Sequence, residues 1–135
     1  MPGRRTVLRG AALAPVAGIA LTACSGSGGG TPATPTAPVD LGAESEIAEG
    51  GAKLYRDRNV VVSRAGNGSL RAFSAVCTHA GCAIDKLRGT TLVCPCHGSE
   101  FDAATGKVLR APATEPLKEL HVEAKGGKIV AGPGA

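Results

Sequence analysis

Two short stretches hold four of the five cysteines and two of the three histidines in this sequence. "CTHAGC" runs from Cys77 to Cys82 and "CPCHGS" from Cys94 to Ser99. Each opens with a cysteine, and each holds one histidine and a second cysteine. The third histidine, His121, lies in the alternating stretch "LKELHVEAK", on the face opposite Leu120, Val122 and Ala124, where a solvent-facing position is expected. The remaining donors have the spacing Cys-x-His, a gap of fourteen residues, then Cys-x-x-His. Two thiols and two imidazoles from two loops make a metal site by count: Cys77, His79, Cys94 and His97. Cys94 and Cys96 stand one residue apart, which is cramped for binding one ion together. Cys96 therefore has another task, and so does Cys82.

The start of the chain bears on that task. "MPGRRTVLRGAALAPVAGIALTAC" has a basic opening, an apolar run from Ala11 to Ala23, and then Cys24. Thirteen residues interrupted by Pro15 and Gly18 are too few to span a bilayer as a helix, and the layout is that of an export signal. "RRTVL" resembles the twin-arginine export motif, with Arg4 and Arg5 in place and Val7 where that motif prefers phenylalanine. "LTAC" looks like a bacterial lipobox, whose cysteine is acylated before cleavage in front of it. Cys24 is thus expected to carry the lipid that holds the protein to a membrane surface. Residues 1–23 form the signal, and residues 24–44 a lipidated cysteine with a Gly/Ser/Thr/Pro linker. Residues 45–135 form the folded domain. A linker of this composition cannot bury enough apolar surface to fold. From Ser25 to Asp40 it would span roughly 20–25 Å root-mean-square. In an exported protein the two surplus cysteines on adjacent loops, Cys82 and Cys96, read as a disulfide, and all five sulfurs are then assigned.

The elements that must hold these loops read as strands. "AKLYRD", "NVVVSRA" and the alternating Leu70, Ala72 and Ser74 follow one another with turn signals between them. "TTLVC" leads into the second loop, "ATGKVL" gives a turn and a strand start, and Gly126–Gly127 joins "LKELHVEAK" to "KIVAG" as a hairpin. No stretch of ten residues shows helical periodicity with caps, so the fold class is all-β, small and antiparallel. A core of roughly 90 residues with only Tyr55, Phe73 and Phe101 as aromatics is marginal on burial alone, so cross-links are expected. The formal charge of +4 falls to about +1 without Arg4, Arg5 and Arg9. With no basic run or aromatic ladder, nothing points to nucleic acid.

At the two loops the sequence resembles the Rieske iron–sulfur family, in its cytochrome bc complex-like branch. The pattern Cys-x-His-x-x-Cys followed by Cys-x-Cys-His-Gly-Ser is met at every special position. The wider resemblance covers about residues 45 to 132, including "FDAATGKV" and "RAPATEPL". It implies stacked antiparallel sheets with a small two-loop subdomain that binds a 2Fe–2S cluster. It also implies Cys77 and Cys94 on an inner iron and His79 and His97 on an outer one. With two ferric ions, two sulfides and two thiolates the oxidised site sums to zero, so an electron is added more easily than to an all-cysteine site. Such centres lie at roughly −150 to +300 mV, against about −400 mV for plant-type ferredoxins. A zinc site of two cysteines and two histidines suits the same donors. It would leave the extra cysteine pair and "HGS" unexplained.

Around the ligands, Ser99 matches a serine that bonds a bridging sulfide in high-potential members of the family. Phe101 stands where those members have a tyrosine, so a mid-range potential is expected. Gly81 and Gly98 are expected to let backbone N–H groups approach the cluster, and Pro95 to stiffen its loop. Pro112 and Pro116 resemble the family's proline loop over the cluster. Ala80 follows the first histidine, where quinol-oxidising members commonly carry leucine.

The resemblance supports a membrane-tethered carrier of single electrons on the outer face of a bacterial cytoplasmic membrane, docking transiently with redox partners and using no catalytic residues of its own. The alternative is the quinol-oxidising subunit of a quinol–cytochrome c reductase, working beside cytochrome b. A redox-inert or sensing module is a third reading. At 135 residues the chain is too short to hold the mononuclear iron domain of a Rieske oxygenase.

Overall fold

The computed structural model describes residues 32–134. The Arg4–Arg5 motif, the apolar run and Cys24 lie outside the described residues. Ten strands alternate with tight turns, and the one helical piece among the described residues is a 3-10 turn at Glu44–Glu46. Among these residues no helix is long and apolar enough to cross a membrane.

Six strands form the larger sheet: β1 (Val39–Ala43), β2 (Ala52–Tyr55), β3 (Val60–Arg64), β4 (Leu70–Ser74), β9 (Glu119–Lys125) and β10 (Lys128–Gly132). Their order is β1-β10-β9-β4-β3-β2, and every pairing is antiparallel. The smaller sheet is a meander of β5 (Lys86–Arg88), β6 (Thr91–Val93), β7 (Glu100–Asp102) and β8 (Val108–Arg110).

Period-two alternation distributes β3 between two cores. Val60 and Val62 join Leu41, Tyr55, Leu120 and Ile129 of the larger sheet, and Ile47 just after the 3-10 turn, in one core. Val61, on the other face, joins Phe73, Leu92 and Phe101 between the two sheets. A strand buried on both faces needs an unbroken apolar run, which is why "VVV" does not alternate. Each fully buried side chain of this kind stabilises by about 1.5–3 kcal/mol. The smaller sheet has strands of only three residues and cannot stand alone. Val61 and Phe73 supply its second layer.

The strands expected over 52–57, 59–65, 70–74, 90–94, 117–125 and 128–132 are all present, some shorter by one or two residues at an end, with the hairpin at Gly126–Gly127. One boundary moves. The linker expected over 24–44 contains β1, which pairs with β10 through Val39, Asp40, Gly42 and Ala43. Edge pairing needs only backbone groups, and Leu41 alone supplies the buried side chain of that strand. The folded part therefore starts before residue 45.

Candidate metal centre

Both loops are cut to one pattern. An antiparallel pair closes each: Val76 opposite Ala83 for the first, Val93 opposite Glu100 for the second. Inside, the Cys77 N–H donates to the Cys82 carbonyl at 2.8 Å and the Gly81 N–H to the Cys77 carbonyl at 2.9 Å. In the second loop the Cys94 N–H donates to the Ser99 carbonyl at 2.8 Å and the Gly98 N–H to the Cys94 carbonyl at 3.1 Å. Gly81 and Gly98 sit at φ +74° and +79°, the left-handed region that costs other residues roughly 1–2 kcal/mol. Their own N–H groups are engaged by the cysteine carbonyls. Their task is to turn the chain.

This frame sorts the donors by depth. Cys77 and Cys94, the first residue of each loop, are buried at 3% and 2% relative exposure, and both are free thiols. His79 and His97 are exposed at the rim, with ring centroids 4.8 Å apart and planes nearly perpendicular. Burial pushes the Cys94 thiol up, the neighbouring Cys77 thiol adds to the rise, and the backbone N–H groups of Cys96 and His97 oppose it. Those two N–H groups are the donors aimed at a ligand sulfur that the sequence did not single out. A bound cation reverses the balance, because a coordinating thiol loses its proton outright.

Cys82 and Cys96 form a disulfide across the loops, with Cα atoms 6.5 Å apart. The sulfurs of Cys82, Cys94 and Cys96 all lie within 4.8 Å of one another. Two of these three are tied up in the disulfide, which excludes them as thiolate ligands. The Cys96 sulfur, held in the disulfide, borders Cys94. Pro95 is exposed between them.

A third wall comes from the segment after β8. The Ala113 N–H donates to the hydroxyl of Ser99, which is fully buried, at 3.0 Å. The Thr78 hydroxyl donates to the Glu115 carbonyl at 2.7 Å. The proline segment thus grips one residue in each loop. Phe101 is wholly buried below the second loop, in the core shared with Cys77 and Cys94. Ala80, beside His79, is exposed, and His121 is exposed on β9, well apart from the loops in sequence and on the other sheet.

Two buried thiols side by side, beneath two exposed imidazoles, fit a cluster of two irons held by two sulfurs and two nitrogens. The comparisons with known proteins agree. The Rieske (2Fe-2S) domain family matches residues 37–121. A cytochrome b6-f complex iron-sulfur subunit of Chlorobaculum tepidum is 39% identical over 93 residues, which cover 67% of this chain and 50% of that protein. The chain thus spans about half the length of the curated relatives it matches first. Among solved structures, the cyanobacterial plasma membrane Rieske protein PetC3 from Synechocystis PCC 6803 is 35% identical. It superposes with a TM-score of 0.55 over 69% of this chain and 97% of that one. The ferredoxin of carbazole 1,9a-dioxygenase from Nocardioides aromaticivorans IC177 is 27% identical, with a TM-score of 0.54 over 73% of this chain and the whole of that one. With that donor set, that fold and these relatives, the chain belongs to the Rieske family of 2Fe–2S electron carriers.

Proposed function

We propose that this protein is a membrane-tethered Rieske protein that passes single electrons between partners on the outer face of a bacterial cytoplasmic membrane. Cys77 and Cys94 hold the inner iron, and His79 and His97 the outer one. A 2Fe–2S cluster held there supplies a one-electron couple at a nearly neutral site. The buried cysteines and the Cys82–Cys96 disulfide keep solvent from the inner side. The exposed imidazole edges give a docked partner the shortest route to the metal. The observation that carries the reading is the depth order itself: thiols buried, imidazoles 4.8 Å apart at the surface.

Tethering rests on sequence: Cys24 in "LTAC", behind a twin-arginine signal. The test is anaerobic purification from membranes. Two irons and two sulfides per chain, a coloured oxidised form, and a reduced form with a paramagnetic resonance signal support the reading. A colourless, zinc-loaded protein would overturn it.

The named relatives favour a second reading, in which the protein serves as the quinol-oxidising subunit of a cytochrome bc-type complex with cytochrome b beside it. Ala80 offers a smaller contact than leucine there. Stopped-flow reduction by quinol, in membranes with and without this protein, separates the two.

A further inference from the structure

The chain does not leave the folded domain at an arbitrary point. Before β1, residues 33 and 34 are fastened to the larger sheet by two side-chain hydrogen bonds. The Thr34 and Ser74 hydroxyls are 2.6 Å apart, and the Asn59 side-chain amide donates to the Ala33 carbonyl at 3.0 Å. Asn59 adopts φ +54°, the only residue other than glycine at positive φ among the described residues.

Both anchor points lie at the metal end of the sheet. Ser74 is the last residue of β4, which runs directly into the first loop. Its hydroxyl also accepts the Val76 N–H at 3.3 Å, one residue before Cys77. Asn59 immediately precedes β3, and its carbonyl accepts the Ala75 N–H at 2.8 Å. In the same turn the Arg56 guanidinium donates to the Asp85 carbonyl at 2.6 Å, three residues past Cys82. Three extended residues from Ser74 to Cys77 cover about 10 Å. The strap is therefore tied, through Ser74 and Asn59, to the two residues that lead into the first ligand loop.

From this geometry we infer that the 33–34 strap is an orienting clasp: it fixes the tether's exit at the metal end and turns the His79–His97 edge toward the bilayer, for a redox protein embedded in that same membrane. The inference rests on the proposed lipidation of Cys24. Cys24 and Ala33 stand nine positions apart. Such a segment spans about 15–18 Å root-mean-square and no more than about 32 Å when fully drawn out. With the clasp open, the free length extends to β1 at Val39, and the domain can tumble above the membrane with its metal end facing any way.

The experiment uses the full lipidated protein in vesicles of phosphatidylethanolamine and phosphatidylglycerol containing a gadolinium-chelating lipid. The reduced cluster is paramagnetic, and its relaxation by headgroup gadolinium falls steeply with distance. The test variant combines Thr34→Val with Asn59→Gly, which removes both clasp bonds and leaves the positive φ at residue 59 tolerable. Iron content and far-ultraviolet circular dichroism report that the fold is intact. The relaxation enhancement is expected to fall at least about twofold in the variant, as the tether lengthens. Inserting Gly-Ser repeats after Gly29, with the clasp untouched, should produce a similar fall. Equal enhancement in the parent and the double variant overturns the clasp. Loss of co-sedimentation with vesicles in neither protein, together with that equality, shows that tethering stands and only the clasp has failed. Failure of the parent protein to co-sediment overturns the tethering and this inference with it. In the same samples, backbone order parameters from nitrogen relaxation at Ala33, Thr34 and Thr36 should be high in the parent and low in the variant. Low order in both would overturn the clasp independently of any lipid.

Discussion

Cys77–Cys82 and Cys94–Ser99 are closed by the same pair of backbone hydrogen bonds, yet their side chains are dealt out differently. The histidine is third in the first loop and fourth in the second. The disulfide leaves from the sixth position of one, Cys82, and from the third position of the other, Cys96. Where the first loop ends on Cys82, the second ends on Ser99, wholly buried and bonded to Ala113. The two positions that do not vary are the buried cysteine at the start and the left-handed glycine at the fifth place. The difference shows that the backbone frame sets depth, sulfur inside and rim outside, while the remaining positions are free to serve the cross-link or the redox tuning.

The largest effects should fall equally on both loops. Cys77→Ser and Cys94→Ser should each reduce bound iron to below about a tenth, read by iron analysis and loss of colour, because a buried ligand position has no substitute nearby. A loop that kept its iron without its cysteine would break the equivalence. Next, replacing Cys82 and Cys96 together by serine should cost about 3 kcal/mol in denaturant unfolding, the chain-entropy value for a loop of that size. Each single serine variant should match the double to within about 1 kcal/mol, since both loops lose the same bond.

Ser99→Ala should then separate the loops. It strips the partner from the buried Ala113 N–H and is expected to lower the reduction potential by roughly 60–90 mV, the equivalent of one charge-assisted hydrogen bond of about 1.5–2 kcal/mol. Voltammetry on the purified protein reads it, and an unchanged potential would show that the Ser99 hydroxyl serves only the proline segment. Gly81→Ala and Gly98→Ala should each cost about 1 kcal/mol from the backbone alone, because an added Cβ meets nothing within 4 Å at either site. Unequal costs would mean that the two turns are not the same device. The smallest effect is expected from Phe101→Tyr, a rise in potential of about 20–40 mV if the new hydroxyl reaches a ligand sulfur. An unchanged or lower potential would remove the argument that Phe101 holds the potential to mid-range.

The residues that lie in one strand or one loop were legible in the chain itself. Alternation marked β9, the glycine pair marked its hairpin, and donor spacing marked Cys77, His79, Cys94 and His97 as a group. Contacts between distant segments were not legible, because they obey no local period. Ser99 to Ala113, Thr78 to Glu115 and Thr34 to Ser74 are each a single hydrogen bond across the fold. β1 was hidden because its sheet pairing uses backbone atoms, and its own Asp40 and Gly42, with Pro38 just before it, carry the composition of a linker. The positive φ of Gly81 and Gly98 was not legible either, because a turn glycine looks the same in sequence as any other.

The proline segment has a consequence for biosynthesis. It grips both ligand loops, and its last residue, Leu117, is buried in the core that holds Cys77 and Cys94. A nascent chain that has not yet emerged from the ribosome as far as Leu117 cannot close the pocket around iron. Cofactor delivery must therefore wait until both loops and the whole segment through Leu117 have left the ribosome.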